Sequence, residues 1–112
     1  MKKLLISCIA LFAFVAVIKA DPPQKINLSY NAETKKLKVE AIHQVRNVED
    51  HFINLISISV DGKEVKVIKP TKQNSAASEL DEVSVPEIKK GSVVTVKARC
   101  SKFGTKTAEL KI

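Results

Sequence analysis

From Lys25 to the end of the chain, apolar side chains recur at every second position in short runs, and turn signals cut the runs apart. Ile26, Leu28 and Tyr30 alternate with Lys25, Asn27 and Ser29, and Leu37, Val39 and Ala41 alternate with Lys36, Lys38 and Glu40. A period of two sends successive side chains to opposite faces of a strand and builds no helical stripe. No window beyond the leader shows a helical period. The pattern predicts strands over Lys25–Tyr30 and Lys35–Ile42, then a strong one following His51 and running to Val60. Four more are predicted over Lys63–Lys69, Ala76–Val85, Ser92–Cys100 and Thr105–Ile112. Asn31-Ala32-Glu33-Thr34 and Lys89-Lys90-Gly91 read as turns, and Asp61-Gly62 as a hairpin turn. Seven short strands of this kind predict an all-β fold, an immunoglobulin-like antiparallel sandwich.

The segment ahead of the strands is of a different kind. Met1-Lys2-Lys3 is a charged start, Leu4 to Ile18 is an almost unbroken apolar run, and Ile18-Lys19-Ala20 places a small residue at a cleavage position. These are the parts of a secretory signal, and the run is short for a membrane span. The expected organisation is a signal peptide over 1–20 and one domain over 21–112, periplasmic or secreted, with no membrane contact once the signal is cut. Leu5-Ile6-Ser7-Cys8 has the residue types of a lipoprotein box. Cleavage there would strand Ile9 to Ile18 on the mature chain, so that alternative is set aside.

Loss of the leader removes Cys8 and leaves Cys100 alone, so no internal disulfide can form. A lone cysteine in an oxidising compartment is buried, paired with another chain, bound to metal or reactive. The formal charge of +7 loses Lys2, Lys3 and Lys19 with the leader and becomes +4. The remaining lysines are scattered over the strands and only 4% of residues are aromatic. A solvated basic surface is therefore expected, not a nucleic-acid partner. No nucleophile elbow or third triad partner points to a hydrolase.

Chemistry concentrates at three positions. His43 and His51, the two histidines of the chain, stand at the ends of one polar loop, and Cys100 closes the penultimate strand. Taken singly, His43 reads as a polar loop residue, His51 as a packed strand-opening residue and Cys100 as a small buried hydrophobe. In an immunoglobulin-type sandwich the loop after the second strand and the loop after the sixth share one end. His43, His51 and Cys100 are therefore expected at one rim, as metal ligands. Imidazoles with a thiolate suit Fe, Cu or Zn and disfavour Mg or Ca. Glu49 and Asp50, beside His51, are expected to supply an oxygen ligand or a second-shell acceptor. Arg46 and Lys102 are placed to attract an anion.

His51-Phe52-Ile53 with its following apolar strand, and Cys100-Ser101-Lys102-Phe103-Gly104, resemble the iron domain of desulfoferrodoxins and neelaredoxins, the superoxide reductases. The resemblance runs from Lys35 to Ile112 and implies an immunoglobulin-like sandwich with non-haem iron under four imidazoles and an axial thiolate. Carried over, it makes His43 and His51 two loop ligands and Cys100 the thiolate. Phe103 stands where the family has a histidine, with the expectation that its ring plugs the former pocket. Gln44 stands where a proline follows the first loop histidine. The family's N-terminal histidine segment has no counterpart near Pro22-Pro23-Gln24-Lys25. The resemblance thus implies a degenerate ligand set with reduced or altered redox activity. It implies an electron-donor or sulfur-metabolism protein as partner, and leaves the oligomeric state open. Two other readings stand beside it: a non-catalytic sandwich module that has lost the metal, and a thiol-based carrier related to sulfur-oxidation proteins.

Overall fold

The computed structural model of the chain describes residues 21–112. The expected signal peptide, residues 1–20, falls outside the described residues. Within them the chain is all-β, with seven antiparallel strands and no helix. The strands are β1 (Lys25–Asn31), β2 (Lys36–Ile42), β3 (Ile53–Val60), β4 (Lys63–Ile68), β5 (Ser78–Ser84), β6 (Val93–Cys100) and β7 (Thr105–Lys111). They form a three-stranded sheet in the order β1-β2-β5 and a four-stranded sheet in the order β4-β3-β6-β7.

The alternation read from sequence becomes the core. In β2, Leu37, Val39 and Ala41 are fully buried while Lys36 and Lys38 are exposed. Ile53, Ile56, Ile58 and Val60 of β3 and Val94, Val96, Ala98 and Cys100 of β6 join them in one hydrophobic cluster fed by both sheets. Fully burying an aliphatic side chain of this size contributes about 1.5–3 kcal/mol, so this shared cluster is what holds the two sheets together. Asp61 and Gly62 carry φ of 50° and 85°, the left-handed pair that a two-residue hairpin loop requires.

Strand register decides where the loops gather. Lys25 at the start of β1 pairs with Ile42 at the end of β2, which pairs with Ser78 at the start of β5. In the other sheet Ile53 at the start of β3 pairs with Cys100 at the end of β6. The residues before β1, after β2, before β3, before β5 and after β6 are thus brought to strand ends that adjoin. A register shift between Ile53 and Leu55 interrupts the β3–β6 ladder beside this end. Bulges of this kind bend a strand and re-aim the side chains that lead into it.

The edge strand β5 departs from the apolar pattern. Glu79 is buried, and Oδ2 of Asp81 is buried without a hydrogen-bond partner. Asn74 holds Glu79 through its backbone N–H (3.0 Å) and its side-chain amide (3.2 Å). Burial first, and then the neighbouring Asp81, push the Glu79 carboxyl up to about 8. Inward-pointing acids discourage a further strand from adding to a sheet edge.

Candidate metal centre

The loop between β2 and β3 is shaped by its own polar residues. Asn47 Oδ1 accepts the Glu49 N–H at 2.9 Å, and Asn47 O accepts the N–H groups of Asp50 (3.3 Å) and His51 (3.0 Å). An asparagine that bonds its own following backbone is a ready turn former. It returns the chain so that His51 arrives at β3 facing the end of β6. Ser101 then clamps this entry: its N–H donates to Phe52 O at 2.8 Å, and its hydroxyl accepts the Phe52 N–H at 3.1 Å.

His43, His51 and Cys100 meet at this rim, and Asp21 completes the group. One ligand atom from each of the four residues lies within 4.8 Å of the others. His51 Nε2 is 3.2 Å from Cys100 Sγ and 2.7 Å from Asp21 Oδ2. His43 Nε2 is 3.7 Å from the same carboxylate oxygen and 3.1 Å from the Asp21 carbonyl oxygen. The two imidazole rings stand edge to face with centroids 4.8 Å apart. His43 and Cys100 are buried, whereas the Asp21 side chain is half exposed and that of His51 a quarter exposed. One side of the group therefore faces solvent.

The oxygen donor is not where the sequence placed it. Glu49 is exposed, and Asp50 turns toward Lys102, with Oδ2 and Nζ 3.8 Å apart. The loop that brings His51 inward points its acidic neighbours out. Asp21 replaces them because the segment before β1 is strapped down over the rim. Its N–H donates to Phe103 O at 2.9 Å, Pro23 is buried, and Gln24 N–H donates to Ile42 O at 2.7 Å. A Cβ on Gly104 would come within 2.6 Å of Pro22 N, so the strap passes where only glycine fits. Phe103 does not plug a pocket: its side chain is 67% exposed and its backbone takes φ of 96°. That conformation turns the ring to solvent while its carbonyl holds Asp21.

Gln73 lies between the strands predicted over Lys63–Lys69 and Ala76–Val85, and it is buried at the heart of the site. Its Nε2 donates to His43 O (2.6 Å) and Ser75 O (2.9 Å), while its Oε1 accepts the Ile53 N–H (3.3 Å) and faces His43 Nδ1 at 2.9 Å. No period marks a loop glutamine in sequence. Its role depends on three segments meeting around it.

The electrostatics separate the available chemistries. Burial pushes the Cys100 thiol up and Asp21 adds to this, partly offset by the Lys102 N–H, which donates to Sγ at 3.3 Å. A thiol held neutral is a poor nucleophile. His51 meets Asp21 and Cys100 through the same nitrogen, whereas a catalytic triad uses opposite ring nitrogens. The site is therefore not arranged as a thiol-nucleophile machine. Beside it lies a cleft of about 560 Å³ lined by Gln44, Val45, Arg46, Asn47, Asp50, His51 and Lys102. Arg46 and Lys102 thus both border an opening that reaches His51.

No protein-family model matches the chain, and neither a curated protein nor a solved structure is similar to it.

Proposed function

We propose that this chain is an exported metal-binding domain holding one transition-metal ion through His43, His51, Cys100 and Asp21. The observation that carries the reading is the convergence of two imidazoles, a thiol and a carboxylate within 4.8 Å from three separate segments, the strap before β1, the β2–β3 loop and the end of β6. Ligands around a tetrahedral ion at metal–ligand distances near 2.0–2.3 Å stand roughly 3.4–3.8 Å apart. Of the distances within the group, 3.7 Å already has that spacing, and those of 2.7 and 3.2 Å and the 4.8 Å extent of the group reach it by movements of a few tenths of an ångström to about 1 Å. Thiolate and carboxylate together neutralise a divalent ion. The donor set suits Zn, Cu or Fe and is a poor one for Mg or Ca.

Two antiparallel sheets around one core, with His43, His51 and Cys100 at strand ends of one rim, support the reading of an immunoglobulin-like sandwich. The donor set does not support the reaction of the superoxide reductases. The chain has two histidines, and a square of four imidazoles cannot be assembled from it. Asp21 supplies an oxygen donor instead, which alters the field around any iron held there. We infer metal binding with little or no superoxide reduction.

The contending reading is a sandwich module without metal. The 2.7 Å contact of Asp21 with His51 favours it, because that is a hydrogen bond complete in itself. Elemental analysis of the untagged protein recovered from its native compartment decides between the two. Near-stoichiometric Zn, Cu or Fe supports the metal centre, and a metal-free protein that takes up none of these supports the module.

A further inference from the structure

Gln73 is connected in a way that filling a loop does not require. It is 1% exposed, and all four hydrogen-bonding positions of its amide are used. The orientation of that amide is fixed by backbone groups alone. Ile53 N–H can only donate, so it faces the amide oxygen; His43 O and Ser75 O can only accept, so they face the nitrogen. With Oε1 an acceptor, His43 Nδ1 must be the donor in the 2.9 Å contact between them.

We propose that Gln73 is a positioning residue for the metal group, holding His43 in the Nδ1–H tautomer so that the Nε2 lone pair is aimed at Asp21, His51 and Cys100. This rests on the metal-binding reading above. A neutral ring in this tautomer presents its Nε2 lone pair to the Asp21 carbonyl oxygen at 3.1 Å and to the Asp21 carboxylate at 3.7 Å. A lone pair set against two oxygens is repulsive unless a metal ion, or a second ring proton, lies between them. The group is thus built with a gap in its hydrogen bonding that a positive ion fills. A ring free to choose would protonate Nε2 and donate to Asp21, which would close the group without metal. Gln73 disfavours that neutral tautomer, because its Oε1 needs the Nδ1 proton, and its backbone N–H, donating to Val48 O at 2.9 Å, ties the amide to the loop that carries both histidines. Partners of this kind orient a ligand ring and raise its basicity, and their loss typically weakens metal binding about 10–100-fold.

The test compares Gln73→Leu with Gln73→Glu in the full chain, using zinc as the probe. Both variants lose the two amide donor bonds, but only glutamate keeps an acceptor for His43 Nδ1–H. Gln73→Leu should lose about 10–100-fold in zinc affinity, and its neutral His43 ring should show both tautomers in long-range 1H–15N spectra. Gln73→Glu should keep the Nδ1–H signature and hold zinc clearly more tightly than Gln73→Leu. If both variants weaken zinc binding alike, or neither does, Gln73 serves the loop alone and the proposal is overturned. Should Gln73→Leu fail to fold, the spectra of the wild type and Gln73→Glu decide, since a neutral ring carrying its proton on Nε2 contradicts the proposal. A wild type that binds no zinc but keeps the Nδ1–H ring defeats the metal reading while leaving the tautomer lock in place.

Discussion

His51 Nε2 lies 3.2 Å from Cys100 Sγ, although the two residues are 49 positions apart. Register produces the contact: Ile53, two residues after His51, pairs directly with Cys100 across the β3–β6 ladder. Cys100 is also part of the hydrophobic cluster, so the same side chain belongs to the core and to the polar rim. The site is anchored in the rigid part of the molecule on this side and held by a strap, Asp21 to Gln24, on the other.

Replacing the sulfur tests the first of these anchors. Cys100→Ser should abolish any thiolate-to-metal charge-transfer band in the cobalt- or copper-loaded protein, because serine does not ionise at neutral pH. It should also lower stability by about 1–3 kcal/mol, the usual cost of setting a hydroxyl in a buried apolar place. Absorption spectra and urea denaturation measure the two effects.

The strap is tested by Asp21→Asn and Gly104→Ala. Asp21→Asn removes the carboxylate charge and should weaken zinc binding by at least the ~10–100-fold that loss of a supporting partner costs. Gly104→Ala drives a methyl group toward Pro22 at a position with φ of 104°. It should cost about 1–3 kcal/mol in strain and weaken zinc binding as well, since Asp21 is displaced with Pro22. Calorimetric titration and denaturation would show both effects; unchanged zinc affinity in Gly104→Ala would mean that the strap is not needed.

Much of this was legible in the chain. The period of two fixed all seven strands to within a few residues, because each buries one face against the other sheet. His43, His51 and Cys100 could be placed at one rim because strand ends follow from strand order. Asp21 could not, since a two-proline leader carries no period and its place depends on a close approach to Gly104. Glu49 and Asp50 are next to His51 in sequence, but the Asn47 turn points them away. Gln73 gave no signal, as His43 and Ile53, which hold three of its four amide bonds, lie 30 and 20 positions away along the chain.

Phe103 should behave as an exposed and strained residue. A bulky side chain at φ of 96° is costly, and with 67% of this one exposed, little packing offsets the strain. Phe103→Gly should raise stability by about 1 kcal/mol. The family resemblance suggests that Phe103→His would restore a ligand, but the outward turn of this side chain predicts no gain in metal affinity. Denaturation and zinc titration of the two variants check these outcomes.

Glu79 gives the fold a pH dependence of definite sign. Its carboxyl is raised from the usual 4.5 to about 8, so the folded chain binds this proton more tightly than the unfolded chain. Its contribution to stability is fully present below 4.5 and is lost as pH rises through about 8. Urea denaturation across this range should show stability falling as pH rises. Glu79→Gln, which cannot ionise, should remove that component of the slope.

If the strap before β1, the β2–β3 loop and the end of β6 close around one metal ion, an anaerobic cobalt titration of the full chain, followed by visible and near-ultraviolet absorption, reads it directly. Saturation is expected at one ion per chain, with intense visible bands of a four-coordinate ion and a sulfur charge-transfer band absent in Cys100→Ser. Ligand at 100 times its dissociation constant adds about 2.7 kcal/mol of stability, so the melting temperature should rise by roughly 10–20 °C for a domain of this size. A spectrum that remains that of hydrated cobalt, with no shift in melting temperature, would contradict it.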